Sequence, residues 1–359
     1  MQESRKIKVL IIDDSALMRQ LLSAILTEDP AFDVVGTAAD PYIARDKIKA
    51  LKPHVLTLDV EMPGMDGLTF LEKLMRLHPM PVVMISSRTE HGAEATLRAL
   101  ELGAVDFVAK PSGGKRDEIN ALAEEIRVKV GAAASARVRA DNAAPPHDVE
   151  RLKPSGAAHG NRQEAIAIGA SAGGTQAIME ILRRLPADVP GIAIVQHMPP
   201  KFTALFADHL NRSCALDVRE ARDGDRLEPG SARVAPGGQQ MTLVRGTDGY
   251  ALRVYDGPAV NLHRPSVDVL FHSVAEHAGA RALGVLLTGM GRDGALGLKA
   301  LHTAGALTLA QDQASSVIFG MPEQAIRLGA AREVVGLEHI AARIRRWATR
   351  ESERVATHA

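Results

Sequence analysis

The sequence predicts an α/β chain of two domains. The first is a doubly wound sheet of five parallel strands, and the second an α/β, mostly parallel sheet with an antiparallel hairpin. Three observations predict this. Short β-branched runs alternate with helical patterns from Lys8 to about Val130. The alternation stops in an Ala-, Pro- and Gly-rich stretch and resumes near Glu164. The 359 residues also exceed what one core usually organises. The expected boundaries are a first domain at 1–130, a linker at 131–163, a second domain at 164–350 and a tail at 351–359.

In the first half, Lys8–Ile12 reads as a buried strand, followed by a helical pattern through Leu17, Leu21, Leu22, Ile25 and Leu26. Strands are then expected at Phe32–Gly36, His54–Leu58, Pro81–Ile85 and Val105–Val108. Helices are expected at Pro41–Lys49, Gly67–His78, Ala93–Leu102 and Asp117–Val130. A doubly wound parallel sheet places its strand C-termini along one edge, where sites form. Four strands end there in Asp13-Asp14, Asp59, Ser86 and Lys110. Taken singly, the aspartates could cap a helix, Ser86 could be a turn residue and Lys110 a solvated charge. Four strand ends with matching chemistry argue for a site. Crowded carboxylates repel unless a cation neutralises them, and oxygen-only ligands favour Mg²⁺.

These residues, with Met62-Pro63-Gly64-Met65-Asp66-Gly67 after Asp59 and Pro111 after Lys110, make residues 7–125 resemble the receiver domain of bacterial response regulators. The resemblance implies phosphorylation of Asp59 by a chemotaxis-type histidine kinase. It implies Mg²⁺ held by Asp14, Asp59 and the Glu61 carbonyl, with Asp13 acting through water. Ser86 and Lys110 would contact the phosphoryl group, and Phe107 stands where the family has its aromatic switch.

The stretch from Gly131 to Gln163 lacks apolar periodicity. Ala132–Ala140 could be helical, but Pro145-Pro146 and Pro154-Ser155-Gly156 interrupt any longer helix. It reads as a tether.

In the second half, strands are expected at Ala165–Ile168, Gly191–Gln196, Asp217–Arg219, Gly230–Ala235, Met241–Arg245, Tyr250–Tyr255, Ala282–Thr288 and Leu307–Gln311. Met241–Arg245 and Tyr250–Tyr255 pair through a Thr247-Asp248-Gly249 turn. Helices are expected at Gln176–Leu185, Phe202–Ser213, Pro265–His277, Ala295–Ala304, Pro322–Leu328 and Leu337–Trp347. The first strand runs into Gly169-Ala170-Ser171-Ala172-Gly173, a G-x-S-x-G pattern at a strand-to-helix turn that exposes a nucleophile. A serine nucleophile needs a base and an orienting acid. Among seven histidines of this half, only His197 directly follows a strongly apolar strand. The others, His263 in its polar loop included, default to surface or packed residues. Asp293 follows the strand Ala282–Thr288 within the loop Gly289-Met290-Gly291-Arg292-Asp293-Gly294, and Asp312 is its rival at another strand end. The chain order Ser171, His197, Asp293 differs from the Ser–Asp–His order of α/β-hydrolases, so another scaffold with the same geometry is indicated.

The stretches 168–174, 195–203, 263–271, 286–295 and 311–322 make residues 164–347 resemble the catalytic domain of chemotaxis protein-glutamate methylesterases. The family's nucleophile, base and acid fall on Ser171, His197 and Asp293. Ala172 stands where many members carry threonine, and Gln240 where histidine is common. The resemblance implies hydrolysis of glutamyl methyl esters, and deamidation of glutamines, on methyl-accepting chemotaxis receptors, with no cofactor for the ester chemistry. The Ala172 amide and the backbone of Gly289, Met290 and Gly291 are the expected oxyanion donors. The receiver is expected to block the catalytic face until Asp59 is phosphorylated.

Composition narrows the alternatives. Lys+Arg and Asp+Glu are equal at 43 each, and aromatics make up 3%, so neither a basic field nor stacking platforms point to nucleic acid. A transcription regulator would need a basic helix-turn-helix output, and the Gly-rich second half offers none. A second alternative is a phosphorylation-dependent binding module without esterase activity. The lone Cys214 excludes an internal disulfide. Polar Met1–Lys8 lacks a signal-peptide core and no apolar run reaches a membrane span, so a soluble, cytoplasmic protein is expected.

Overall fold

In the computed structural model, the described residues are 6–86, 89–110, 116–138 and 162–356. Pro111, most of the expected tether and the last three residues of the expected tail lie outside them. The chain divides into two compact units, Met1–Ala144 and Pro145–Ala359.

The first unit alternates strand and helix throughout. Its elements are β1 (Ile7–Ile12), α1 (Ala16–Thr27), β2 (Phe32–Ala38), α2 (Pro41–Leu51), β3 (Val55–Asp59), α3 (Gly67–Leu77), β4 (Val82–Ser86), α4 (Glu90–Glu101), β5 (Asp106–Ala109) and α5 (Arg116–Ala134). The sheet order is β2-β1-β3-β4-β5, and the paired strands are parallel. β3 and β4 are buried along their whole length, which explains their continuous apolar runs. Short polar side chains start the helices. Ser15 accepts the Met18 N–H, Asp40 those of Tyr42 and Ile43, and Asp66 that of Thr69. The α1 cap is therefore Ser15, which leaves Asp13 and Asp14 for other work. The alanine-rich stretch expected to be helical to Ala140 stops at Ala134. Its last turn tightens as Ser135 and Ala136 donate to carbonyls three residues back.

The second unit is built on β6 (Ala165–Ala170), α6 (Gly174–Arg183), β7 (Gly191–Gln196), α7 (Phe202–Ser213), β8 (Asp217–Glu220), β9 (Ser231–Val234), β10 (Gln240–Gly246), β11 (Gly249–Tyr255), α8 (Val267–His277), β12 (Ala282–Leu286), α9 (Ala295–Thr303), β13 (Leu307–Gln311), α10 (Met321–Arg327), β14 (Glu333–Val335) and α11 (Leu337–Ala356). Seven strands form one sheet in the order β14-β13-β12-β6-β7-β9-β8, parallel at each pairing. β10 and β11 form a separate antiparallel pair. α8 packs Leu270, Phe271 and Val274 into a core shared with Leu243, Leu252 and Leu298.

Two elements depart from expectation. β14, missed in the sequence, is three residues long and only partly buried, too short for a periodicity to register. α11 runs nine residues past the expected Trp347, because its charged second half forms helix without an apolar stripe. Arg343 ties it to β14 through two guanidinium–carboxylate bonds of 2.6 Å to Glu333. Among the described residues, no helix is long and apolar enough to cross a membrane.

Candidate active site

The order β12-β6-β7 sets three strand ends side by side, and Ser171, His197 and Asp293 follow those strands. β6 and β7 run in register from Ala165↔Gly191 to Ala170↔Gln196, so Ser171 and His197 leave adjacent strands at the same height. The turn after β6 is fixed by its backbone. Ser171 N–H donates to the Thr288 carbonyl at 3.0 Å, and its own carbonyl receives Gly174 N–H at 2.7 Å and Gln196 Nε2 at 2.9 Å. Sequence reasoning did not single out Gln196. It is the last residue of a fully buried strand, and its amide braces the serine turn.

Asp293 is 1% exposed and accepts five hydrogen bonds. His197 Nε2 lies 2.8 Å from Oδ2, and Val267 N–H donates to the same oxygen at 2.7 Å. Asn261 Nδ2, Ser266 Oγ and Asp268 N–H reach Oδ1 at 2.7, 2.8 and 3.2 Å. Burial alone would raise the carboxyl's pKa. The bond and charge of His197, with the Asn261 and Ser266 donors, more than offset it and hold Asp293 well below the usual carboxylate range. Asp312, the rival acid, accepts Ser315 N–H at 2.9 Å and Ser315 Oγ at 2.6 Å within its own turn.

With Nε2 donating to Asp293, the Nδ1 of His197 is the bare nitrogen, and it is buried without a hydrogen-bond partner. It therefore makes no bond to the Ser171 hydroxyl in this state. The His263 ring stacks on the His197 ring, with centroids 3.6 Å apart and planes 12° from parallel. His263 is thus packed on His197, which its polar loop did not betray. Gln240 holds that loop. Its Oε1 accepts Ser266 N–H at 2.9 Å, and its Nε2 donates to the carbonyls of Pro258 and His263 at 2.9 and 3.2 Å.

Of the expected oxyanion donors, Gly289 is already engaged, since its N–H donates to the Ile318 carbonyl at 3.1 Å. Gly289 is needed for close approach instead. A Cβ there would lie 2.3 Å from Met321 Sδ and 2.8 Å from Ser171 Cβ. No backbone hydrogen bond among the described residues takes the N–H of Ala172, Met290 or Gly291. Ala172 is buried, and its carbonyl accepts Thr288 Oγ1 at 3.0 Å.

In the first unit, the carboxylates of Asp13, Asp14 and Asp59 converge within 4.8 Å of one another at the ends of β1 and β3. Lys110 Nζ lies 2.7 Å from Asp59 and 3.3 Å from Asp13. Burial, opposed by the Lys110 hydrogen bond but reinforced by the Asp13 charge, pushes Asp59 up to about 6. Burial works against the charge of Lys110, yet Asp59 and Asp13 outweigh it and raise its pKa. Glu61 N–H donates to Asp59 Oδ1 at 3.3 Å. Gly67 packs so closely that a Cβ would fall 2.0 Å from the Asp59 carbonyl oxygen, which explains the glycine ending the Met62–Gly67 stretch. Ser86 Oγ is buried and donates to the Gly92 carbonyl at 2.9 Å. Phe107 is buried beneath Lys129, whose Nζ lies 5.1 Å from the ring centroid.

Comparison with known proteins yields two family matches. Residues 9–124 match the response regulator receiver domain, and residues 166–344 match the CheB methylesterase. A protein-glutamate methylesterase/protein-glutamine glutaminase of Salmonella typhimurium strain LT2 is 54% identical over 335 residues, spanning 93% of this chain and 95% of that one. One of the same designation from Pectobacterium atrosepticum is 54% identical over 341 residues, spanning 94% and 96%. Among solved structures, the Thermotoga maritima CheB methylesterase catalytic domain is 34% identical, covers 50% of this chain and 96% of its own, and has a TM-score of 0.49.

Proposed function

The chain belongs to the CheB methylesterase family, in the form that carries an N-terminal response regulator receiver domain, and from that premise we propose how it works. It is a protein-glutamate methylesterase and protein-glutamine glutaminase under the control of receiver phosphorylation. Its substrates are methyl-accepting chemotaxis receptors, from which it releases methanol or ammonia and leaves glutamate. A chemotaxis histidine kinase supplies the phosphoryl group. It works in the cytoplasm.

The observation that carries the mechanism is the pairing of His197 with Asp293. Nε2 is committed to the carboxylate, so Nδ1 is the nitrogen that takes the Ser171 hydroxyl proton. The serine Oγ attacks the ester carbonyl, and the Ala172, Met290 and Gly291 amides donate to the oxyanion. Nδ1 then returns the proton to methoxide as the acyl-enzyme forms. Water, deprotonated by Nδ1, attacks the acyl carbon, and the proton passes to Ser171 as the ester bond to serine breaks. Asp293 fixes the ring and stabilises its charged form throughout. The open contact between Nδ1 and the serine is one that apo sites commonly tighten when substrate arrives.

In the receiver, Asp59 is the phosphoacceptor. Asp13, Asp14 and Asp59 offer a small hard cation convergent oxygens, two of the three carboxylates being buried, and they fit Mg²⁺. With the Glu61 carbonyl they would hold the ion, whose charge would offset that of a phosphoryl group arriving at Asp59. Lys110 and Ser86 contact that group once it is attached. Phe107 follows as the switch aromatic.

The test is methanol release from methylated receptor membranes, with and without a small phosphodonor. Wild type should release methanol faster with the donor, Asp59→Asn should not respond, and Ser171→Ala should be inactive while still taking phosphate on Asp59. Methanol release by Ser171→Ala at the wild-type rate would overturn the mechanism.

A further inference from the structure

Val260 and His263 exchange backbone hydrogen bonds of 3.1 and 2.9 Å, which closes a two-residue turn over Asn261 and Leu262. Both central residues have positive φ, 51° and 70°. Asparagine and glycine suit such turns, whereas leucine does not, because its Cβ crowds the backbone there. Leu262 also gains nothing from packing, since it is 93% exposed. A single exposed leucine is ordinary on a protein surface. One that the backbone disfavours and the core ignores is explained by neither fold nor solvent.

Its neighbours give the position meaning. Asn261 Nδ2 bridges the carboxylates of Asp293 and Asp268 at 2.7 and 2.8 Å. His263, on the other side, stacks on His197. The turn is thus held at its two sides by the acid and the base, and its tip, Leu262, stands in solvent one residue before His263. Gln240 anchors its return limb through the His263 carbonyl.

We propose that Leu262 is a specificity-determining contact for the polypeptide substrate: it seats on an apolar side-chain cluster beside the esterified glutamate and registers that ester over Ser171. The proposal rests on the receptor-methylesterase reading. It gives the enzyme a means of selecting a glutamyl ester by the apolar surface around it, and backbone strain at the tip is what holds the leucine out for that contact.

The test uses the full-length chain and two readouts. Methanol release from methylated receptor membranes reports polypeptide turnover, and the rate of Ser171 labelling by a small fluorophosphonate reports the triad. Leu262→Gly suits the backbone and should not lower the melting temperature. Its kcat/KM on receptor membranes should fall at least tenfold further than its labelling rate, chiefly through KM, and Leu262→Met should recover most of the loss. A demethylation kcat/KM equal to or above wild type, or parallel losses in both readouts, overturns the proposal. Wild-type protein that labels at Ser171 but releases no methanol from the membranes would instead overturn the receptor reading beneath it.

Discussion

His197 presents Nε2, not Nδ1, to Asp293, at 2.8 Å. In the familiar serine-protease arrangement the carboxylate holds Nδ1 and the serine faces Nε2. Here the ring is turned over, and the chain order Ser171, His197, Asp293 belongs to a different scaffold. The parallel sheet sets His197 on the strand next to the one that carries Ser171, and the ring nitrogen left over from Asp293 is Nδ1. In the mechanism proposed above, the proton transfer therefore runs through the other edge of the ring.

Asp293→Asn should remove most activity and much stability. Five donors converge on this carboxylate, and an amide offers them one oxygen while turning an NH₂ toward others. The expected loss in kcat is on the order of 10³–10⁴-fold, from losing the orientation and charge support of the base. The unfolding free energy should drop by about 3 kcal/mol, through unpaired buried donors. The pH dependence has a definite sign. The folded-state pKa lies below the ordinary 3.8, so the native state holds this proton less tightly than the unfolded chain. Its stabilisation is present above about pH 4 and is lost as pH falls through the folded pKa. Acid unfolding followed by circular dichroism should therefore be shallower below pH 4 in the variant than in wild type.

Much of this site was legible in the sequence for one reason. Parallel strands bring their C-termini to one edge, so residues directly after Ile168, Gln196 and Thr288 fall together without knowledge of any side chain. The same rule gathered Asp13, Asp59, Ser86 and Lys110. What the rule cannot reach is a side chain that arrives from a loop. Asn261, Ser266 and the His263 ring come from a segment that follows the β10–β11 hairpin rather than a sheet strand. Asn261 and Ser266 lie 32 and 27 positions from their partner Asp293, and His263 lies 66 from His197, so no local period links them. Gly289 shows the limit in another form. Its glycine signalled close backbone approach, but only the fold reveals that its N–H is spent on Ile318.

Asp59→Asn should stabilise the receiver at neutral pH when divalent cations are chelated. Asp59 is 2% exposed beside Asp13, and its folded-state pKa is pushed up to about 6 from 3.8. The native state therefore holds this proton more tightly than the unfolded chain, and stability falls as pH rises from about 4 to 6. Across that window wild type should lose about 3 kcal/mol relative to the variant, the linkage equivalent of a two-unit shift. Thermal melts in EDTA at pH 4 and pH 7 measure it. A variant whose advantage is the same at both values would show that the charge is not the cause.

Gln240→Leu tests the loop that carries His263. The glutamine amide satisfies Ser266 N–H and two carbonyls, all from the segment 258–266. Leucine matches its size but satisfies none of them, which should cost about 2–4 kcal/mol in unfolding free energy. Activity should fall about tenfold or more as the stacked ring and the Asn261 bridge loosen, while phosphorylation of Asp59 proceeds as in wild type. Denaturant unfolding and methanol release on the same samples separate the two effects.

Gly289→Ala should injure the chemistry more than the fold. The added methyl would fall 2.3 Å from Met321 Sδ and 2.8 Å from Ser171 Cβ. The thioether belongs to a flexible side chain and can swing aside, at about 1–3 kcal/mol for a crowded core. Ser171 cannot yield so cheaply, because its N–H and carbonyl are held by Thr288, Gly174 and Gln196. The strain therefore passes to the serine side chain, and a displacement near 1 Å at a reacting atom costs about 100-fold in rate. The expected result is a modest fall in melting temperature with a loss of about 100-fold in kcat and a smaller change in KM. A variant with wild-type kcat and a large loss of stability would mean that Met321, rather than Ser171, sets the demand for glycine.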